Sequence, residues 1–198
     1  MELARKDDGV FFNNVCVEDA KGHKTFEGDE FINTCYSSKN SISRVLSNLY
    51  PQRFKFKGKK VASIEAVLQS LKYKDKKLQN EVLKYAGVDA YHTRACNRED
   101  FWGDEGVLYW RGKAMKRDSQ EYQNFLDDLY FSAASCPVYR KALLSTGDKY
   151  LLHHIGCEDQ AQTVLTRYEY ESRMMALRAF LQTVIDKEKN IKYQATMM

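Results

Sequence analysis

Glu65, Gln69 and Lys72 are a carboxylate, an amide and an amine placed along one short stretch of chain, at a spacing that lines side chains up on one side of an α-helix. At about 100° of turn per residue, with Glu65 at zero, Gln69 falls near +40° and Lys72 near −20°. Ile64, Leu68 and Leu71 fall at roughly −100°, −60° and −120°, forming the apolar stripe that such a helix buries. The polar trio therefore borders the core. Glu65 and Lys72 stand roughly 10 Å apart along the axis, room for a small molecule unless the side chains bend toward each other. A carboxylate so placed can stabilise developing positive charge or relay a proton. A lysine is a nucleophile only where burial or a nearby cation lowers its pKa, and is otherwise a clamp for phosphate or a solvated group. An ordinary amphipathic helix has the same spacing, so geometry alone leaves both readings open.

The elements that must position this trio read as α+β, predominantly helical, with a small antiparallel β component. Residues 9–36 alternate apolar and polar groups, with Gly22 and Gly28 at turn positions, and predict one or two short antiparallel strands. Arg53–Val61 predicts a hairpin around Gly58. Helices are expected over 63–74, 76–86 (ending at Gly87), 89–97, 105–116, 118–132, 137–145 and 169–188, and the two prolines of the chain permit that content. Tyr150–Ile155 can be a strand or a helical turn. Met174, Leu177, Phe180, Leu181, Val184 and Ile185 form a stripe on the last helix that should pack on the body of the protein. Residues 189–198 are expected to fray.

The 198 residues suit one domain, with a core over about 31–165 and a C-terminal helix over about 169–188. No apolar run approaches the roughly 20 residues that span a bilayer, and the N-terminal Met-Glu-Leu-Ala-Arg-Lys lacks an apolar signal core, so a cytoplasmic location is expected. Cysteines at 16, 35, 96, 136 and 157 form an odd set without a C-x-x-C pair, which argues for free thiols over a disulfide framework or zinc knuckle. His153, His154, Cys157 and Glu158 include metal-ligand types, but adjacent histidines on a strand face opposite ways, so no metal is expected. G-x-S-x-G, G-x-G-x-x-G and G-x-x-x-x-G-K are all absent. The net charge of +4 is mild, but five basic groups fall within 53–60 and four lysines within 72–77, flanking the Glu65 helix with positive potential.

The run Tyr36-Ser37, Ser47-Asn48-Leu49-Tyr50-Pro51, Gly58 and Glu65, Gln69, Lys72 resembles the NADAR family, the YbiA-like N-glycosidases. Trp110 and Met115, then Pro137, Arg140, Leu144 and Thr146-Gly147-Asp148, continue the likeness in the family's order, so that it covers roughly 31–165. The resemblance implies a YbiA-like fold and hydrolysis of a ribose N-glycosidic bond, with Glu65, Lys72 and Asp159 catalytic and no cofactor. Lys72 would attack the open-chain ribose aldehyde to give a Schiff base. Tyr36, Ser47, Asn48, Tyr50, Gln69 and Trp110 would bind an ADP-ribose-like nucleotide. Implied substrates are a riboflavin-pathway aminopyrimidine or ADP-ribose on guanine in nucleic acid, and the basic flanks lean toward the second. The chain departs from the family where L-V-E and D-x-x-W-G become Leu151-Leu152-His153 and Asp159-Gln160-Ala161-Gln162-Thr163, and where Ser132-Ala133 replaces a Lys-Phe pair. The alternative is a non-catalytic module that binds ADP-ribose or NAD.

Overall fold

The computed structural model describes residues 30–92, 106–154 and 156–196, together with four short strands nearer the N-terminus, β1 (Ala4–Lys6), β2 (Gly9–Phe11), β3 (Cys16–Glu18) and β4 (Lys24–Phe26). The expected turns at Gly22 and Gly28, and the residues of the 89–97 helix beyond 92, lie outside the described residues. The fold is α+β and predominantly helical. β1 pairs with β2 and β3 with β4, both antiparallel. β5 (Phe31–Asn33) departs from the antiparallel expectation for its region, because it runs parallel to β10 (Tyr150–Leu152), far along the chain. That pairing makes residues 150–152 a strand.

Side-chain caps explain where several helices begin. Asn40 accepts from Ile42 N–H and Ser43 N–H to start α1 (Ser41–Leu46), and Ser63 accepts from Ala66 N–H at 3.0 Å to start α2 (Ile64–Ser70). Between them lies the hairpin of β6 (Phe54–Phe56) and β7 (Lys59–Val61), as predicted. Asp75 caps α3 (Lys76–Val82). Gly87 does not end a helix, as the sequence suggests; it opens α4 (Gly87–Tyr91) at φ +61°. A Cβ there would lie 3.1 Å from Tyr36 Oη.

Residues 105–116 depart most from expectation. They form a hairpin of β8 (Val107–Trp110) and β9 (Lys113–Lys116), not a helix. Arg111 and Gly112 turn it with φ of +54° and +87°. Leu108 and Trp110 alternate inward with half-exposed Val107 and Tyr109, which is the period of a strand. α5 (Gln120–Ala133) and α6 (Pro137–Ser145) lie close to the expected ranges.

α7 (Arg167–Thr196) runs further than predicted in both directions, so residues 189–196 are helical and not frayed. A reciprocal capping box starts it: Glu169 N–H donates to Thr166 Oγ1, and Thr166 N–H donates to Glu169 Oε2. Its stripe packs only in part. Met174 and Leu177 are buried and Leu181 partly so, whereas Phe180 and Val184 are exposed, because the helix outruns the body it packs on. Phe180 instead meets the exposed ring of Phe131. A hydrophobic cluster joins α2, the β6–β7 hairpin, residues 107–116, α5, α6 and the first turns of α7. Among the described residues no helix is long and apolar enough to cross a membrane.

Candidate functional site

The site forms where the segment after α1 meets the first turn of α2. Ser47 ends α1, donating its N–H to Arg44 O, and its hydroxyl accepts from Leu49 N–H. Tyr50 N–H closes a turn back onto Ser47 O at 2.9 Å. This turn delivers Asn48, nearly buried, against two elements at once. Its backbone carbonyl accepts from Glu65 N–H at 2.9 Å, and its side-chain Oδ1 accepts from the Tyr130 hydroxyl of α5 at 2.9 Å. The neighbouring Leu49 O accepts from Gly87 N–H at 2.7 Å, and Gly87 packs under the Tyr36 ring. Ser47, Asn48, Tyr50 and Glu65 are thus linked through a few backbone hydrogen bonds, and Tyr36 joins them by packing on Gly87.

Glu65 Oε1 accepts from Gln69 Nε2 at 2.6 Å. This is the i,i+4 contact expected of the helix. Burial pushes the Glu65 carboxyl above the ordinary carboxylate range. The Gln69 hydrogen bond and the positive charge of Lys72 act the other way and do not overcome it. The residue retains some exposed surface, yet the protein around its carboxyl is dense enough for desolvation to prevail. Lys72 is half-buried in the turn that follows α2, with its N–H on Gln69 O at 3.2 Å. Its charge reaches Glu65 electrostatically. A carboxyl that is costly to ionise keeps its proton to higher pH than an ordinary carboxylate, which is what a general acid requires.

Behind this front lies a buried polar layer that sequence reasoning missed. The Tyr130 ring meets Tyr170 at 6.0 Å, and Tyr170 donates to Leu46 O at 2.9 Å. His153 lies 5.1 Å from the Tyr170 ring, with Nδ1 3.0 Å from Thr34 O. Burial holds its pKa below the ordinary histidine value, and the charges of Arg167 and His154 act in the same direction. Gln52 precedes β6 in phase with buried Phe54 and Phe56. It is 2% exposed, and neither amide atom has a hydrogen-bond partner among the described residues. Tyr130 and Tyr170 sit on apolar helix stripes, where a sequence shows them only as core residues.

Trp110 and Asp159 have other partners. The Trp110 ring packs against Phe56 and Phe125, at centroid distances of 5.3 and 5.4 Å, and is 8% exposed. Asp159 is exposed and caps its own turn, accepting from Ala161 N–H and Gln162 Nε2, both at 2.9 Å. His153 is half-buried and His154 exposed. Among the described residues no group of His, Cys, Asp and Glu is placed to hold a metal ion.

A mixed α+β protein built round a capped helix, with two hairpins and a long C-terminal helix against it, is the class this geometry defines. The structure is similar to the solution structure of the Escherichia coli protein YbiA, with a TM-score of 0.53 at 17% identity, covering 81% of this chain and 89% of that one. At that identity the likeness is one of fold. The family described as "Bacteriophage protein GP30.3" matches residues 40–179, and the chain belongs to it. A relative in Enterobacteria phage T4, an uncharacterized 17.1 kDa protein of the Gp30-rIII intergenic region, is 29% identical over 139 residues, covering 69% of this chain and 90% of its own.

Proposed function

We propose that the protein is an N-glycosidase that hydrolyses a ribose N-glycosidic bond, with ADP-ribose attached to guanine in nucleic acid as its substrate. The observation that carries this reading is the Glu65 carboxyl, raised by burial and coupled to Lys72 on a YbiA-like fold. Cleavage passes through an oxocarbenium-like state, which needs negative charge near C1′ and a proton for the departing nitrogen. Glu65 supplies the proton as the C1′–N bond breaks, and its carboxylate then faces the positive sugar carbon. Neutral Lys72 Nζ bonds to C1′ and gives a proton back to the Glu65 carboxylate; that proton passes to O4′ as the C1′–O4′ bond opens to a Schiff base, and water adds at C1′ to release the open-chain sugar and regenerate the amine. Asn48, Tyr36 and Tyr50 line the approach.

Glu65→Gln and Lys72→Ala proteins, shown to be folded by circular dichroism, are assayed on an oligonucleotide carrying ADP-ribosylated guanine. Loss of about 10²–10⁴-fold in turnover is expected for Glu65→Gln. Wild-type turnover in both variants removes the assignment. His153 at the family's glutamate position favours one rival, a module that binds ADP-ribose or NAD without catalysis. Calorimetric binding of ADP-ribose with no base released from the modified oligonucleotide would select that module.

A further inference from the structure

Two hairpin tips and the turn between α2 and α3 meet on one side of the molecule. Phe56 and Trp110 immediately precede the tips of their hairpins, and their rings lie 5.3 Å apart, so the tips are neighbours. Each tip pairs a basic residue in the left-handed region with a glycine: Lys57 at φ +43° before Gly58, and Arg111 at φ +54° before Gly112. Asparagine or glycine would take these positions at lower cost. On the β6–β7 hairpin Lys55 and Lys60 stand directly opposite each other, a pairing of like charges that destabilises a sheet.

The α2–α3 turn is fixed to the second tip. Gln79 Nε2 donates to Tyr73 O and Tyr109 O, and Gln79 Oε1 accepts from Arg111 N–H. The Lys76 stem lies over Gly112, where a Cβ would come within 2.7 Å of it. Lys74, Asp75, Lys76 and Lys77 line an open depression there, with Lys113 on the adjoining strand. Lys57 and Lys113 are held by exposed acids, Asp128 and Glu121. Exposed pairs of this kind are weak enough for a phosphate to displace.

From this rigid concentration of cations we infer that the face formed by the two tips and the α2–α3 turn docks the phosphate backbone of a polynucleotide. The turn follows directly on Lys72, whose charge acts on Glu65. The inference goes beyond the glycosidase reading, and its test needs no turnover.

The test is fluorescence anisotropy with an unmodified, fluorescein-labelled single-stranded DNA 20-mer at 50 and 200 mM NaCl. Wild-type affinity should fall steeply between these concentrations. Lys76→Glu/Lys77→Glu/Lys113→Glu should weaken binding at least ~10-fold at the lower salt and flatten the salt slope by about two to three. The neutral Lys→Gln triple should fall between this variant and wild type. Lys141→Glu/Lys187→Glu/Lys189→Glu, with the same change in net charge on α6 and the far end of α7, should stay within about threefold of wild type. Equal losses in both charge-reversed triples, or no binding by wild type, would overturn the inference. So would binding to phosphatidylserine vesicles alone that the first triple abolishes.

Discussion

Two glutamates in this molecule have the same neighbours by type, a cation and a glutamine, and opposite fates. Glu169, 5% exposed, receives Arg117 Nη1 and Nη2 at 2.8 and 2.5 Å, Gln123 Nε2 at 2.8 Å and Thr166 N–H at 2.8 Å. Burial pushes its pKa up, but the hydrogen bonds from Arg117, Thr166 and Gln123, with the charge of Arg117, carry the balance below the ordinary carboxylate range. Glu65 has Gln69 and the field of Lys72, and burial prevails. A carboxylate whose lone pairs are filled by a fixed, bidentate guanidinium is committed to the ionised form and serves as a joint. One that is desolvated more than it is compensated gives up its proton less readily than an ordinary carboxylate. The contrast separates structure from chemistry more sharply than residue type does.

The largest effect expected of breaking this comparison lies on the Glu169 side. Arg117 also donates from Nε to Thr163 O and stacks on Tyr122, so it ties β9, the loop before α7 and α5 together. Arg117→Met leaves a buried carboxylate without its cation and should cost about 3–5 kcal/mol in urea unfolding. Arg117→Met/Glu169→Leu should recover most of that loss, since the charge is removed with its partner. A single variant within 1 kcal/mol of wild type would show that the joint is not needed.

Next in size is Tyr130, which supports the Glu65 side from behind. Tyr130→Phe leaves Asn48 Oδ1 buried without its donor and should cost about 1–3 kcal/mol. Because Asn48 O also holds Glu65 N–H, the same variant should lower turnover. Unchanged stability in thermal unfolding would detach Tyr130 from the site.

What the sequence disclosed of these regions follows the range of the interactions. Gln69 on Glu65 is a contact within one helix, and the 3.6-residue repeat foretold it. Arg117 and Glu169 are 52 residues apart and Asn48 and Tyr130 are 82 apart, and no local pattern encodes such meetings. Trp110 was open to either reading because an aromatic ring suits a ligand face and a core alike, and it packs in the core. The β8–β9 hairpin is masked in the sequence because Arg111 takes the first left-handed position of its turn, leaving Gly112 alone to mark it. Caps at Ser63 and Asp75 use residue types whose role is local, and the expected starts of the helices after them agree with α2 and α3, whereas α1, capped by Asn40, is too short for its period to show in the sequence.

The smallest effect is a matter of sign, and it sharpens the comparison most. Glu65 has a folded-state pKa above its ordinary 4.5. The stability linked to its protonated form is therefore fully present below that ordinary value and is lost as pH rises through the raised one. Glu65→Gln removes this titration, so the variant should gain stability relative to wild type as pH rises above 4.5 and level off once wild-type Glu65 is ionised. Glu169 runs the other way. Its folded-state pKa lies below 4.5, so its contribution is present above that value and is lost as pH falls through the lowered one. Glu169→Gln should therefore be at its greatest disadvantage near neutral pH and approach wild type in acid. Urea midpoints of both variants measured from acid to neutral pH should give differences from wild type that move in opposite directions. Two curves moving in parallel would mean that both carboxylates are compensated alike, and the proposed catalytic role of Glu65 would then lose its physical ground.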